Sequence, residues 1–376
     1  MAGLSIGIDY RPALSRSTGV GRYVSGLVGA LARIDQQNGY VLFSSSLRER
    51  AKVGSLPSNF ELVDRRIPVM LLNALWHRLE LPSLDVLARR PFDISHSPHP
   101  LILPSRGRTV VTIHDIFFYR HAEATTGEIR RDYAPLVKAH AARADAIVTG
   151  SRATKEELVC DLEIPEEKIE LTPYGIDAES FRAQPGEELT AAEYELPSRY
   201  VLSVATLEPR KNLPRLVDAV GQLVRQGWEG SLLIAGGPGM DEREVDRAIE
   251  REQLDTRVRK LGYVPPEHLP ALYRRARVFA SVSLCEGFGF PVLEAMACGV
   301  PVVASEIPTH REVADQAAVY VDPARPESIA SGIARAWSDD DLRYRLAQLA
   351  SHRVRLFSWD ETARKTLAIY ERLGSR

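Results

Sequence analysis

VFASVSLCEGFGFPVLEAMACGVPVVAS, residues 278–305, runs from an apolar β-rich stretch through a glycine-containing loop and a helical stretch into a second apolar run. That order predicts a strand–helix–strand unit with its two strands parallel. The first strand ends near Ser283, Gly287 and Gly289 permit a tight loop close to a ligand, Pro291 suits the first helical position, and Gly299 suits the helix end. Glu286 then falls in the loop and Glu294 in the first turn of the helix. Free N–H groups from Gly289 to Leu293 would form a helix N-terminus that accepts a phosphate, and both carboxylates can accept hydrogen bonds from sugar hydroxyls. The segment fits a ligand that is both a phosphate and a polyol. The plainer alternative is a Glu294 that complements the helix dipole and a solvated Glu286.

The same alternation runs through the whole chain. Apolar strand-like runs at 4–8, 40–44, 93–97, 109–115, 145–151 and 169–177 are separated by helical patterns. After a polar, irregular stretch at 178–198, read as the linker, strands recur from Tyr200 to Asp322. Leu213, Leu216, Val217, Val220, Leu223 and Val224 mark one face of an amphipathic helix between them. The fold class is α/β, with two doubly wound, Rossmann-like domains facing across a cleft lined by the carboxyl ends of both sheets. Length agrees, since 376 residues hold two cores at about 150 residues each. A final helical pattern places Trp359, Ala363, Leu367, Tyr370 and Leu373 near one face and can dock on either half.

Composition narrows the function. The chain is 44% hydrophobic and 26% charged with a formal net charge of −2, an ordinary globular balance without the basic field that nucleic acid requires. Cys160, Cys285 and Cys298 form no paired motif and read as reduced core thiols, so no disulfide framework or zinc site is expected. No basic leader opens the sequence and no apolar run reaches the roughly 18 residues of a membrane span. In 67–82 an apolar patch flanked by Arg65, Arg66 and Arg78 reads as a buried helix in preference to a membrane-facing one.

Five further motifs bear on the reading. In ATLEPRKN (205–212), Arg210 and Lys211 can bind a diphosphate, one as a planar fork and one as a point charge; a solvated basic turn is the alternative. STGVGRYV (17–24) opens the first helix with Gly19 and Gly21 but has Val24 in place of the last glycine of a dinucleotide fingerprint, which disfavours a dinucleotide site. His114 and Asp115 end the β run VVTIHDIFF, so His114 would point toward the cleft and exchange a proton or hydrogen bond unless it is a core histidine satisfied by backbone. His96 and His99 lie three apart in a proline loop with no third ligand and do not read as a metal site. Asp339, Asp340 and Asp341 after Ser338 read as a helix start.

Together EGFGFPVLEAMACGVPVVAS, VATLEPRKN, TIHD, TGVGRY and GSRATKEEL resemble glycosyltransferase family 4, the retaining enzymes of GT-B fold, and within it the branch of mannosyltransferases of bacterial O-antigen and exopolysaccharide assembly. The resemblance covers nearly the whole chain in order. It implies an acceptor-side domain at 1–180, a donor-binding domain at 190–355 and a C-terminal helix, 356–376, crossing back to the first domain. It also implies that Glu294 binds the donor ribose, Glu286 contacts the transferred sugar, and Arg210 and Lys211 neutralise the departing diphosphate with help from Gly287, Phe288 and Gly289. His114 would sit over the sugar and Gly19 near the donor phosphates. The expected reaction is metal-independent hexosyl transfer, mannose first, from a nucleoside-diphosphate sugar such as GDP-mannose to a glycan, glycolipid or small molecule. No cofactor is implied. A nucleotide-sugar epimerase of the same architecture and a non-catalytic nucleotide-sugar-binding protein remain the alternatives. The expected location is the cytoplasm, with peripheral contact at the inner face of the membrane left open. Two positions depart from the family pattern: Ala205 replaces a glycine before the basic loop, and Tyr174 replaces an asparagine.

Overall fold

The alternating pattern folds as parallel sheet. The computed structural model describes all residues except 1, 2, 15–17, 48, 52, 126, 128, 183–185 and 376. Ser17 of the glycine turn and 183–185 of the predicted linker thus lie outside the described residues. The chain divides into two units, 1–175 with 358–376, and 176–357.

Among the described residues the first unit contains β1 (Ser5–Asp9), β2 (Gly39–Ser45), β3 (Phe60–Arg65), β4 (Ile94–Ser97), β5 (Arg108–Thr112), β6 (Ala146–Thr149) and β7 (Ile169–Leu171). They pair in parallel in the order β3, β2, β1, β4, β5, β6, β7. β2 is buried from Tyr40 to Ser45, the mark of a strand covered on both faces, and explains its unbroken apolar run. β3 has no counterpart in the sequence reading. It is an edge strand in which Phe60 and Val63 are buried while Glu61, Asp64 and Arg65 interrupt the pattern.

The helix Trp359–Gly374 belongs to this unit and lies against the helix Gly19–Ile34. Contact is close because Gly26 has no side chain: a Cβ there would stand 2.3 Å from the Trp359 indole. Farther along, the Tyr370 hydroxyl meets His96 Nδ1 at 2.5 Å, Thr362 donates to the Pro173 carbonyl at 2.7 Å, and Arg372 pairs with Glu170 at 2.6 Å.

The second unit holds β8 (Tyr200–Val204), β9 (Ser231–Ala235), β10 (Val258–Gly262), β11 (Val278–Ser281), β12 (Val302–Ser305) and β13 (Ala318–Val321). Their parallel order is β10, β9, β8, β11, β12, β13. Val201, Leu232, Ile234, Val278, Ala280 and Val303 build one core face with Leu213, Leu216, Val217 and Val220 of the helix Leu213–Arg225. The helix Asp340–Val354 starts where the acidic run predicts, with Asp339 as its cap accepting from the Leu342 amide.

Three expectations change. The predicted linker contains a short helix, Glu187–Glu193. The patch at 67–82 is not a fully buried helix: Val69–Leu79 buries Leu72 and Trp76 on one face but leaves Met70, Leu71 and Leu79 exposed on the other. The cysteines are not core thiols either. Cys160 is exposed because Leu158 and Leu162 take the inward face of its helix, and Cys285 and Cys298 are half-buried.

Candidate active site

Each sheet reverses its strand order once, between β1 and β4 and between β8 and β11. Ligands of open α/β sheets bind outside the strand carboxyl ends at such a reversal. In the second unit the two segments leaving β8 and β11 carry the basic loop and the first of the paired glutamates. Their backbones are joined there: the Leu284 amide donates to the Arg210 carbonyl at 2.8 Å, and Asn212, held at φ 58°, donates its side-chain amide to Val282 O and Pro323 O.

Arg210 and Lys211 form a single short turn, Pro209–Lys211, and both reach Glu286. Lys211 Nζ lies 2.6 Å from Oε1 and Arg210 Nη1 lies 3.2 Å from Oε2; Ser283 Oγ donates to Oε1 at 2.6 Å. Arg210 also pairs with Glu208 at 3.0 Å. The Glu286 side chain is only 8% exposed, so the solvated reading fails. Burial alone would raise its carboxyl, but Lys211 and Arg210 outweigh it and hold Glu286 ionised, well below the usual carboxylate range. Burial and then Arg210 push the Lys211 ammonium below its ordinary value, and Glu286 opposes them. The result is a buried carboxylate flanked by two cations at a strand end.

The following helix spans Phe290–Ala297 with Gly289, at φ 95°, as its cap. Three details differ from the sequence reading. Pro291 is the second helical residue, Glu294 lies beyond the first turn, and the amides of Val292 and Leu293 turn back to the Gly289 carbonyl, so the expected run of free amides is shorter. Gly299, at φ 71°, follows the Cys298 cap, and the bonds Gly299 N to Met296 O and Val300 N to Ala295 O close a Schellman motif. Glu294 is 3% exposed and accepts from the Tyr273 hydroxyl at 2.8 Å. Gly287, Phe288 and Gly289 are buried in the connecting loop.

The sequence reading missed several neighbours. Thr309 donates to the Glu286 carbonyl at 2.7 Å, and fully buried His310 faces the Ser305 carbonyl at 3.1 Å and Ser281 Oγ at 3.4 Å. Both follow β12, the strand next to β11, so the strand-end rule that located Arg210 would have located them. Tyr273 had no such signal, since it lies inside the short helix Leu269–Arg275.

His114 and Gly19 lie in the first unit. Gly19 is the first residue of its helix, which Thr18 caps by accepting from the Gly21 amide at 3.0 Å. His114 stands two residues beyond β5, with Nε2 3.1 Å from the Pro98 carbonyl and Nδ1 2.8 Å from the Tyr174 hydroxyl. The carbonyl can only accept, so Nε2 carries the proton and Nδ1 accepts from Tyr174. Burial pushes His114 down to about 4, leaving it neutral near pH 7. To act on a ligand it must exchange one of these two bonds. At this sheet's reversal, Asp9 is fully buried, doubly bonded by Arg11 at 2.6 and 2.9 Å and met by His99 Nε2 at 3.2 Å; none of this was read as a site from sequence. His96 is on β4 and not in a loop, between Tyr370 and Thr112. Among the described residues no group of three or more His, Cys, Asp or Glu side chains is arranged to hold a metal ion.

Residues 17–180 match the family described as Glycosyltransferase Family 4, and 190–353 match Glycosyl transferases group 1. The O-antigen chain mannosyltransferase B of Escherichia coli is 31% identical over 370 residues, 95% of this chain and 96% of that one. The chain belongs to the family 4 glycosyltransferases. A second relative, the serotype-specific mannosyltransferase WbdA of Escherichia coli, is 27% identical over 71% of this glycosyltransferase and 34% of its own length. The sucrose-phosphate synthase of Thermosynechococcus elongatus superposes with a TM-score of 0.81 at 20% identity, covering 99% of each chain, and shares the GT-B fold.

The two departures from the family pattern have structural settings in this glycosyltransferase. Tyr174 is buried, and its ring occupies the space over Gly150, where a Cβ would stand 2.5 Å from Tyr174 Cζ. Ala205 sits where its carbonyl would lie 1.9 Å from a Cβ on Gly236, so the backbone approach there depends on Gly236.

Proposed function

We propose that the protein is a retaining hexosyltransferase that moves mannose from a nucleoside-diphosphate sugar, GDP-mannose first, to a glycan, glycolipid or small-molecule acceptor. The observation that carries this reading is the Glu286 carboxylate between Lys211 and Arg210 at the β8/β11 reversal. Support also comes from near full-length similarity to an O-antigen mannosyltransferase.

In the proposed reaction the bond between sugar C1 and the diphosphate oxygen breaks, and the electron pair leaves with the diphosphate. Arg210 and Lys211 stabilise that developing charge in a largely desolvated place, where fixed cations act strongly. Two cations so placed supply what a divalent ion would otherwise bring. The acceptor hydroxyl attacks C1 from the same face, its proton passes to the departing phosphate oxygen, and configuration is retained. Glu286 contacts the sugar, its two oxygens held by Lys211, Arg210 and Ser283. Glu294 binds the ribose, Gly287, Phe288 and Gly289 border the phosphates, Gly19 approaches them, and His114 contacts the sugar. The proposed location is the cytoplasm. Exposed Met70 and Leu71 beside Arg66 and Arg78 support peripheral contact with an anionic leaflet.

The test begins with calorimetric titration of the protein with UDP, GDP and dTDP in the presence of a chelator. Donors carrying the preferred base are then incubated with mannosylated acceptors. The expected products are free nucleoside diphosphate and a glycoside of unchanged anomeric configuration. A sugar product still attached to nucleotide, or an absolute requirement for metal, would reject the reading.

A further inference from the structure

At the opposite edge of the second sheet, the amino ends of β8, β11 and β12 border a pocket of about 530 Å³. It lies one strand length, about 15 Å, from the residues that follow the carboxyl ends. Arg199, Arg274, Arg275, Arg277 and Arg343 line it, against the single carboxylate of Asp340.

These guanidinium groups are unequally satisfied. Arg343 pairs with Asp340 and donates to the Trp337 carbonyl at 2.9 Å; Arg277 donates to the same carbonyl at 2.9 Å and reaches Asp340 at 3.4 Å. Arg274 donates to the Phe181 carbonyl. Asp340 is itself 78% exposed and shared by two arginines. Among the described residues Arg199 and Arg275 have neither an ion pair nor a side-chain hydrogen bond, and both are exposed. Burial, followed by Arg199, pushes Arg277 below its ordinary value; burial, Arg277 and Arg199 act likewise on Arg343. Positive potential therefore accumulates in the pocket, where Asp340 is the one lining carboxylate against five arginines.

Like charges gathered in one concavity destabilise the folded chain unless an anion shares it. Planar guanidinium forks match phosphate oxygens in pairs, and several converging forks suit two linked phosphates better than one carboxylate. The Tyr344 ring at the rim, 70% exposed, offers a face to a ring attached to such a group. We infer that this pocket binds a diphosphate-bearing molecule at a site separate from Arg210 and Lys211. A free phosphoanion and a lipid headgroup present the same chemistry.

The test uses the full chain with Lys211→Ala, so that the strand-end cations contribute less, and compares it with the same chain carrying Arg199→Ala and Arg275→Ala. Inorganic pyrophosphate is titrated by calorimetry, and binding to phosphatidylglycerol–phosphatidylcholine vesicles is followed by sedimentation. Both arginines are exposed, so their removal should not lower the thermal unfolding temperature, and relief of like-charge repulsion should leave it equal or higher. The expected result is pyrophosphate binding by Lys211→Ala that weakens about tenfold or more on removing the arginines and weakens with added salt. If vesicle binding is unchanged, the ligand is a free phosphoanion; if it falls in parallel, the source is a headgroup. Equal pyrophosphate and vesicle binding by both proteins would overturn the inference.

Discussion

Lys211 is a cation whose charge depends on its neighbours. Burial and Arg210 disfavour the ammonium form, and Glu286 at 2.6 Å opposes them in part. Glu286→Gln removes both the charge and the contact that favour the ammonium, so it should lose its proton at lower pH. Nucleoside-diphosphate binding, measured by calorimetry from pH 7 to pH 10, should then decline at lower pH in Glu286→Gln than in the parent. Lys211→Ala should lose about 100-fold or more of transfer while its thermal unfolding still reports a folded protein; parent-like turnover would remove its assigned role. His114→Ala should depress transfer more than nucleotide binding, and equal losses in the two assays would contradict a sugar-facing role. Sequence could identify Arg210, Lys211 and Glu286 because glycine, proline and charge stand at recognisable offsets from strands. It could not identify Tyr174 as the partner of His114, because that contact joins residues sixty apart and follows no local period.

Helix contacts depend on which glycines face a neighbour. Gly26→Ala would drive a methyl group into the Trp359 indole, whereas Gly29→Ala meets only the flexible Arg33 terminus at 3.9 Å. The first should destabilise by about 1–3 kcal/mol through overpacking, and the second should stabilise by about 0.5–1 kcal/mol through helix propensity. Denaturant unfolding of the two variants separates these outcomes, and equal effects would contradict close helix packing at Gly26. Most elements were legible because strands covered on both faces, such as β2, read as continuous apolar runs. β3 was not, because an edge strand half-covered by its sheet interleaves Glu61 and Asp64 with its apolar residues. The helix after Gly289 was legible in extent but not in phase, since proline is accepted at either of its first two positions and only the backbone decides which.

At the scale of the molecule, acid should weaken the first unit. His96 is held down to about 3, and His77 and His114 to about 4, chiefly by burial, against an ordinary value of 6.5. The unfolded chain therefore takes up protons first, so stability is fully present above about 6.5 and is lost as pH falls toward the folded-state values. A histidine as buried as His96 contributes about 2 kcal/mol of loss by pH 5. The free energy of unfolding of His96→Gln should accordingly fall less between pH 7 and pH 5 than that of the parent. A chain ending at Phe357 should lose protection over 1–175 while 176–357 resists proteolysis, since the missing helix supplies Tyr370, Thr362 and Trp359 to the first unit. The same division sets an order during synthesis. Residues 176–357 emerge as one uninterrupted stretch, whereas the unit begun at the ribosome first cannot close until 358–376 has followed. Translation therefore finishes the second unit first, and throughout that interval the surface later covered by Trp359 and Tyr370 is open to chaperones.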